Sequence, residues 1–158
     1  MSNLIFAGAM SHAPGIAAFT GAADESQRRA FLSACEVLRN ELERARPDVL
    51  LVIAPDHFSN FFIDNMPAAC VTMNETYAGP VEDWLGIDKV RIPGKPELAR
   101  AILRKAYDNG IEPSFSEDVQ FDHAVMLPLK LLTPEFKTPV VWIMQNCQVP
   151  PLMSLKRC

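Results

Sequence analysis

The sequence predicts an α/β protein in which a mainly parallel or mixed central sheet is flanked by helices. Two short segments, residues 48–54 (DVLLVIA) and 139–144 (PVVWIM), are apolar almost throughout, as expected of strands buried on both faces. Longer segments between the apolar runs carry apolar residues at a spacing of three to four, which is typical of amphipathic helices. Because strands and helices alternate, we expect the helices to cover both faces of one sheet.

The elements follow in chain order. Residues 3–9 (NLIFAGA) predict a first strand that leads into a loop marked by Pro14 and Gly15. Residues 24–46 predict a helix, with Asp24 and Gln27 placed as in a capping box and Pro47 ending it. Its apolar stripe consists of Phe31, Ala34, Leu38, Leu42 and Ala45.

The second half of the chain is less regular. Residues 68–73 and 89–92 are weaker strand candidates, and residues 96–109 predict a helix that Gly110 follows. Between residues 119 and 132, Asp122 could cap a helix, but Pro128 would interrupt its hydrogen bonds, so a start near residue 127 stays open. Residues 147–152 predict a loop and residues 153–158 the start of a helix. The inward residues of helix 96–109 would be Leu98, Ile102 and Ala106.

Composition excludes several kinds of partner. The 158 residues are 49% hydrophobic and 22% charged, which suits one globular domain, and the net charge of −4 gives no reason to expect binding to nucleic acid or to an anionic membrane surface. The longest apolar run, residues 49–55, is too short to span a bilayer, and no basic stretch precedes the first apolar segment. The four cysteines are scattered, which predicts free thiols in a reducing cytoplasm.

The chain has only three histidines, and two of them follow predicted strands. His12 and His57 each lie in a proline-containing loop, at the place where α/β folds hold ligands and catalytic groups. Ferrous oxygenases use two neutral imidazoles and one carboxylate as protein ligands, so this pair could supply two of the three. The alternative is that each histidine only forms hydrogen bonds within its loop.

The third histidine, His123, adjoins Asp122. A histidine beside a carboxylate suits proton transfer, although Asp122 could also serve only as a helix cap. No spacing selects a third metal ligand from the acidic candidates Asp56, Asp64, Glu75 and Glu82.

Aromatic residues cluster directly after His57. They could form the wall of an aromatic-substrate pocket, with Asn60 as a polar group among them, or they could be ordinary core. The apolar members of this cluster are Phe58, Phe61, Phe62 and Met66.

Three motifs together resemble the class III extradiol ring-cleavage dioxygenases. They are SHAP at residues 11–14, APDHFSNFF at 54–62, and FDH at 121–123 followed by Pro128 and Leu129. Their order and separation match that family, they include all three histidines, and the resemblance covers essentially the whole chain.

The resemblance implies a function and a set of site residues. The family opens catechol-type rings beside the diol with ferrous iron, inserting both atoms of O₂, in the catabolism of aromatic compounds. By this resemblance His12 and His57 are Fe(II) ligands, His123 with Asp122 is an acid/base pair, and the substrate pocket includes Asn60 and Phe61. The implied fold is that of the family's catalytic subunit, and homo-oligomers are common among such enzymes.

The family is generally longer than this sequence. Its glutamate ligand and a second catalytic histidine lie in the C-terminal part, so residues 1–158 are expected to be the N-terminal part of a single catalytic domain. Whether this part is active alone stays open. Two alternatives stay open: a zinc-dependent hydrolase that uses His12 and His57, and a non-catalytic fragment or interaction module.

Overall fold

The computed structural model describes residues 3–157 and shows an α/β architecture with a mixed sheet, as the sequence predicts. A 3-10 helix spans Asp83–Leu85. The helices are α1 (Gly15–Ala18), α2 (Glu25–Ala45), α3 (Pro96–Asp108) and α4 (His123–Leu132), and the strands are β1 (Leu50–Ala54), β2 (Ala69–Thr72), β3 (Thr76–Gly79), β4 (Val90–Pro93), β5 (Ser114–Ser116) and β6 (Val140–Gln145).

The main sheet has four strands in the order β1-β6-β2-β5. Strand β6 runs parallel to β1 and antiparallel to β2, whereas β2 and β5 are parallel, so the sheet is mixed. Strands β3 and β4 form a separate antiparallel pair. The chain leaves β1 and enters α4 on the same side of the molecule, where the functional residues are found.

Helix α2 matches its prediction closely. The Asp24 carboxylate accepts hydrogen bonds from the backbone N–H groups of Ser26 and Gln27 and so caps the first turn. The helix ends where Arg46 adopts a left-handed conformation with φ of 49°. Helix α3 also ends close to the predicted residue, with Gly110 beyond it at φ of 70°.

Strand β1 is not buried on both faces, so that part of its prediction is wrong. Leu51 is 52% exposed and Ile53 is 63% exposed, while Ala54 at the strand's end is buried. The reason is position, because β1 is an edge strand of the sheet and α3 packs against β6 and β2, further into the sheet. The equally apolar β6 lies inside the sheet, and its Val141 and Trp142 are fully buried.

The two ends of the chain differ from expectation. Residues 3–9 form no strand, and Leu4 and Ile5 are exposed there. Residues 153–157 form no helix, and residues 155–157 form only a turn. The last residue of that predicted helix, Cys158, lies outside the described residues.

Helix α4 settles the boundary that the sequence left open. It begins at His123 because the Asp122 carboxylate caps it, accepting the Ala124 N–H at 2.9 Å. Pro128 lies inside the helix, where it has no N–H to donate to the turn before it. Every residue from His123 to Leu127 is buried, which ties this turn into the core.

The core has two parts, one on each face of the sheet. The larger contains α4 and a group of aromatic rings in which Phe121 stacks on Tyr77 at 4.2 Å and meets Trp142 edge-on at 5.8 Å. The smaller lies under α3, through Ala99 and Leu103. No helix in residues 3–157 is long and apolar enough to cross a membrane.

Candidate active site

The loop that follows β1 is organised around one buried carboxylate. Asp56 is only 1% exposed and accepts the backbone N–H groups of Ser59, Asn60 and Phe61 at 3.0 to 3.2 Å. Phe58 adopts φ of 57°, a left-handed conformation that is unusual for a bulky residue, and the chain bends there. The loop thereby fixes His57, which comes directly after Asp56.

His57 is held at two points by Asp122. Oxygen Oδ2 of Asp122 accepts the His57 backbone N–H at 2.9 Å and lies 2.9 Å from ring atom Nδ1. An ionised carboxylate only accepts hydrogen bonds, so Nδ1 carries the proton in this pair. The opposite ring nitrogen, Nε2, is then left with a lone pair, as a histidine needs to bind a metal.

His123 is held in the same way, but by Glu82. Oxygen Oε1 of Glu82 accepts the His123 backbone N–H at 3.1 Å and lies 2.6 Å from its Nδ1. No hydrogen bond joins His123 to the adjacent Asp122, because Asp122 Oδ1 caps α4 and its Oδ2 binds His57, and their role as an acid/base pair stays a prediction. Asp122 supports one histidine and Glu82 supports another.

All three histidines meet at one place. The rings of His57 and His123 are stacked with centroids 4.2 Å apart, and the His12 ring lies 5.3 Å from His57 and 6.1 Å from His123. His12 comes from the segment before α1, whereas the other two come from the end of β1 and the start of α4. The convergence that the sequence predicted for His12 and His57 is thus present, and His123 joins them. The exposed Trp84 lies at the edge of this group, 6.4 Å from His123.

The pKa values of two of these histidines move in opposite directions. Burial is the main cause that lowers the pKa of His12, and the nearby His57 and His123 lower it further. The hydrogen bond to Asp122 is the main cause that raises the pKa of His57, against the effect of burial. The lowered pKa of His12 favours the neutral imidazole, the form that binds metal ions.

His57, Asp122 and His123 form a group that could hold a metal ion, since each offers a ligand atom within 4.8 Å of the others. The short distance from Asp122 to His57 is, however, already a hydrogen bond. We therefore interpret Asp122 as a residue that orients His57, and the free Nε2 atoms as the available donors.

The four acidic candidates for a third ligand differ in their hydrogen bonds and exposure. Asp56 is fully engaged in its loop, and Glu82 is bound to His123. Asp64 and Glu75 are exposed. Nothing in the sequence favours Glu82 among the four, because Glu82 and His123 are 41 positions apart and no local pattern predicts their contact.

Asn60 and the aromatic residues near it have mixed surroundings. The Asn60 amide nitrogen donates to Asp56 and to the Gln120 carbonyl, and its oxygen accepts the Gln120 N–H at 2.8 Å. Phe61 packs against the larger core. An open cavity of about 420 Å³ lies next to this loop. It is lined by Phe58, Phe62, Ile63 and Asp64.

The fold and the site define an α/β protein with a histidine-rich candidate metal centre supported by two carboxylates. Residues 7–158 match the family described as the catalytic LigB subunit of aromatic ring-opening dioxygenase, and the chain belongs to that family.

Sequence identity to curated relatives supports this family assignment. The chain is 32% identical over 151 residues to a 2,3-dihydroxyphenylpropionate/2,3-dihydroxicinnamic acid 1,2-dioxygenase of Photorhabdus laumondii, a match that covers 93% of this chain and 45% of the relative. It is 34% identical over 121 residues to a second protein of that name from Dechloromonas aromatica, covering 76% of this chain and 37% of the relative. The chain thus spans less than half the length of these curated relatives. The resemblance to extradiol dioxygenases seen in the motifs is confirmed.

Proposed function

We propose that the chain carries part of the active site of an Fe(II)-dependent extradiol dioxygenase that cleaves catechol-type aromatic compounds with O₂, in aromatic catabolism. The observation that supports it most strongly is the convergence of all three histidines, with ring centroids 4.2 to 6.1 Å apart, in a chain of this family. In this proposal His12 and His57 are the iron ligands, and His123 is an acid/base residue.

The residues fit such an ion. Asp122 engages Nδ1 of His57 and leaves Nε2 free, and the lowered pKa of His12 favours the neutral form of that ring. Two imidazoles whose centroids are 5.3 Å apart are close enough for one ion, with bonds of about 2 Å, to contact both. Both oxygens of Asp56 and of Asp122 accept other hydrogen bonds, and Oε1 of Glu82 binds His123, so the proposal assigns no residue of 3–157 as the third, carboxylate ligand.

Bound ferrous iron would supply the means of bringing a catechol and O₂ together and of making the catechol oxygens more acidic. The chain's own residues would move protons and orient an iron ligand. Nε2 of His123 is available to take a proton from a catechol hydroxyl and to return it later, because Nδ1 already donates to Glu82. Asp122 would act by orienting His57.

Two further roles are part of the proposal. Asn60 and Phe61 stay predicted pocket residues, although the amide of Asn60 is largely engaged with Asp56 and Gln120, which favours a loop-holding role. The exposed rings of Phe58 and Phe62 border the open cavity and offer an apolar surface for an aromatic substrate. We further propose a homo-oligomer in the cytoplasm.

The test is to load the 158-residue chain with Fe(II) under anaerobic conditions and to follow O₂ uptake and ring-fission product with a panel of catechols that includes 2,3-dihydroxyphenylpropionate. His57→Ala should abolish uptake, while Glu36→Ala, which removes an exposed carboxylate on α2, should leave it unchanged. If the chain alone is inactive, the same pair of substitutions is made in a protein extended to the relatives' length.

Two outcomes would contradict the proposal. One is turnover that survives thorough removal of iron. The other is hydrolysis that depends on zinc and does not consume O₂, which would favour the hydrolase alternative.

A further inference from the structure

Glu82 holds His123 at both its backbone and its ring. A single oxygen, Oε1, lies 3.1 Å from the backbone nitrogen and 2.6 Å from Nδ1. The side chains of His123 and Glu82 are only 11% and 12% exposed, so water competes little for these hydrogen bonds. Both donors face the same acceptor, and the His123 ring has little freedom to turn.

The same arrangement recurs at the neighbouring histidine. Asp122 binds the backbone N–H and the Nδ1 of His57 through one oxygen, as Glu82 does for His123. Both stacked rings therefore direct Nδ1 to a carboxylate and keep Nε2 for other partners. Asp122 cannot serve both rings, because its second oxygen caps α4.

Glu82 is held in place by the fold. The strand β3 and the residues that follow it are tied to the segment before His123, through hydrogen bonds from Phe121 N to Ala78 O at 2.9 Å and from Val81 N to Phe121 O at 3.0 Å. The two backbones come so close at Gly79 that an added Cβ would lie 2.9 Å from the Phe121 carbonyl oxygen. The hydrogen bonds between these two backbone segments thus place the Glu82 side chain next to His123.

We propose that Glu82 is the positioning residue for His123: it keeps the proton of the neutral ring on Nδ1, which makes Nε2 the atom that exchanges protons with a substrate. The proton-exchange role rests on the proposed function, but the position of the ring proton is a property of this chain alone. The neutral side chain of free histidine in water favours the opposite form, with the proton on Nε2, so the effect of Glu82 is measurable.

The test is a two-bond ¹H–¹⁵N spectrum of the metal-free 158-residue chain with ¹⁵N-labelled histidine, recorded at about pH 8.5, roughly two units above the pKa of an ordinary histidine. Spectra of His57→Asn and His123→Asn assign the signals. We expect the wild-type His123 ring to show a protonated Nδ1 and an unprotonated Nε2.

Two substitutions of similar length separate the hydrogen bond from the shape of the side chain. Glu82→Met removes the acceptor, and we expect most of the His123 population to move to the form protonated on Nε2. Glu82→Gln keeps a carbonyl acceptor facing the backbone N–H, and we expect it to retain the wild-type pattern. The His57 signals are the internal control, because their partner Asp122 is unchanged.

The proposal would be overturned by a wild-type His123 ring protonated on Nε2, or by a Glu82→Met spectrum in which His123 stays protonated on Nδ1 while the His57 signals are native. If Glu82→Met fails to fold, the His57 signals are lost as well, and the wild-type and Glu82→Gln spectra decide. None of these measurements needs iron or substrate, so a failure here is distinct from a failure of the dioxygenase proposal.

Discussion

The loop that carries His57 should depend on Asp56 for its stability. Asp56 is 1% exposed and accepts three backbone N–H groups, those of Ser59, Asn60 and Phe61, together with the Asn60 side chain. Replacing it by alanine leaves these donors without their acceptor. The perturbation is confined to the loop, because the helices and the sheet do not use this carboxylate.

The magnitude follows from the number of donors. A hydrogen bond to a charged acceptor contributes about 1.5 to 3 kcal/mol, so the three backbone donors and the Asn60 side chain together set an upper range of roughly 6 to 12 kcal/mol. Ser59, Asn60 and Phe61 are only half-buried, so water can replace much of the lost acceptor. We therefore expect Asp56→Ala to lower the free energy of unfolding by about 3 kcal/mol, and Asp56→Asn, which keeps one oxygen, by about half as much.

The assay is urea-induced unfolding, followed both by tryptophan fluorescence, which includes the fully buried Trp142, and by far-ultraviolet circular dichroism. The matched control is Asp64→Ala, an exposed carboxylate in the same loop, which should change stability by less than about 0.5 kcal/mol. A loss below about 1 kcal/mol for Asp56→Ala would refute the reasoning. If such a variant also lost Fe(II) binding, Asp56 would be a metal ligand instead.

Three other predictions test separate parts of the structure. Gly79→Ala places a Cβ at 2.9 Å from its neighbours and should cost about 1 to 3 kcal/mol in urea unfolding, whereas Gly21→Ala, with nothing within 4 Å, should be nearly neutral. In an NMR titration of the metal-free chain, His57 should titrate above the ordinary value of 6.5 and His12 below it; equal pKa values would contradict the site electrostatics. By linkage, the contribution of His57 to stability is complete below pH 6.5 and is lost as the pH rises through its raised pKa. The contribution of His12 is complete above pH 6.5 and is lost as the pH falls through its lowered pKa. Ile53→Ala should cost less than about 1 kcal/mol because this side chain is 63% exposed on an edge strand, and a cost near 3 kcal/mol in urea unfolding would mean that β1 is covered on both faces.

Much of the fold could be predicted because its signals are local. The helix from Glu25 to Ala45 carries its own cap at Asp24, and its stripe has a period that only a helix satisfies. The apolar run that became β6 is short and β-branched, which favours a strand whatever surrounds it. The N-terminal segment could not be judged in this way: residues 3–9 are apolar, yet they find no neighbouring strand with which to pair.

Burial was harder to predict than secondary structure. The runs that became β1 and β6 look equally apolar, but one is at the edge of the sheet and the other inside it. Strand order depends on which distant segments pair, and no local pattern encodes it. The same is true of the short strands β3 and β5, which exist because of their partners.

The sequence by itself determined the kinds of group in the site. Three histidines, two of them after predicted strands and one at a helix start, together with family motifs, were enough to predict an imidazole cluster. The tertiary structure alone decided which carboxylate serves which histidine. Asp122 is adjacent to His123 in the chain but binds His57, 65 positions away, and Glu82 reaches His123 across 41 positions. The reason is that Asp122 is the N-cap of α4 and uses one oxygen to bind the Ala124 N–H, so residues adjacent in the chain need not be hydrogen-bond partners. Only the packing of β1, β3 and α4 brings each histidine to its carboxylate.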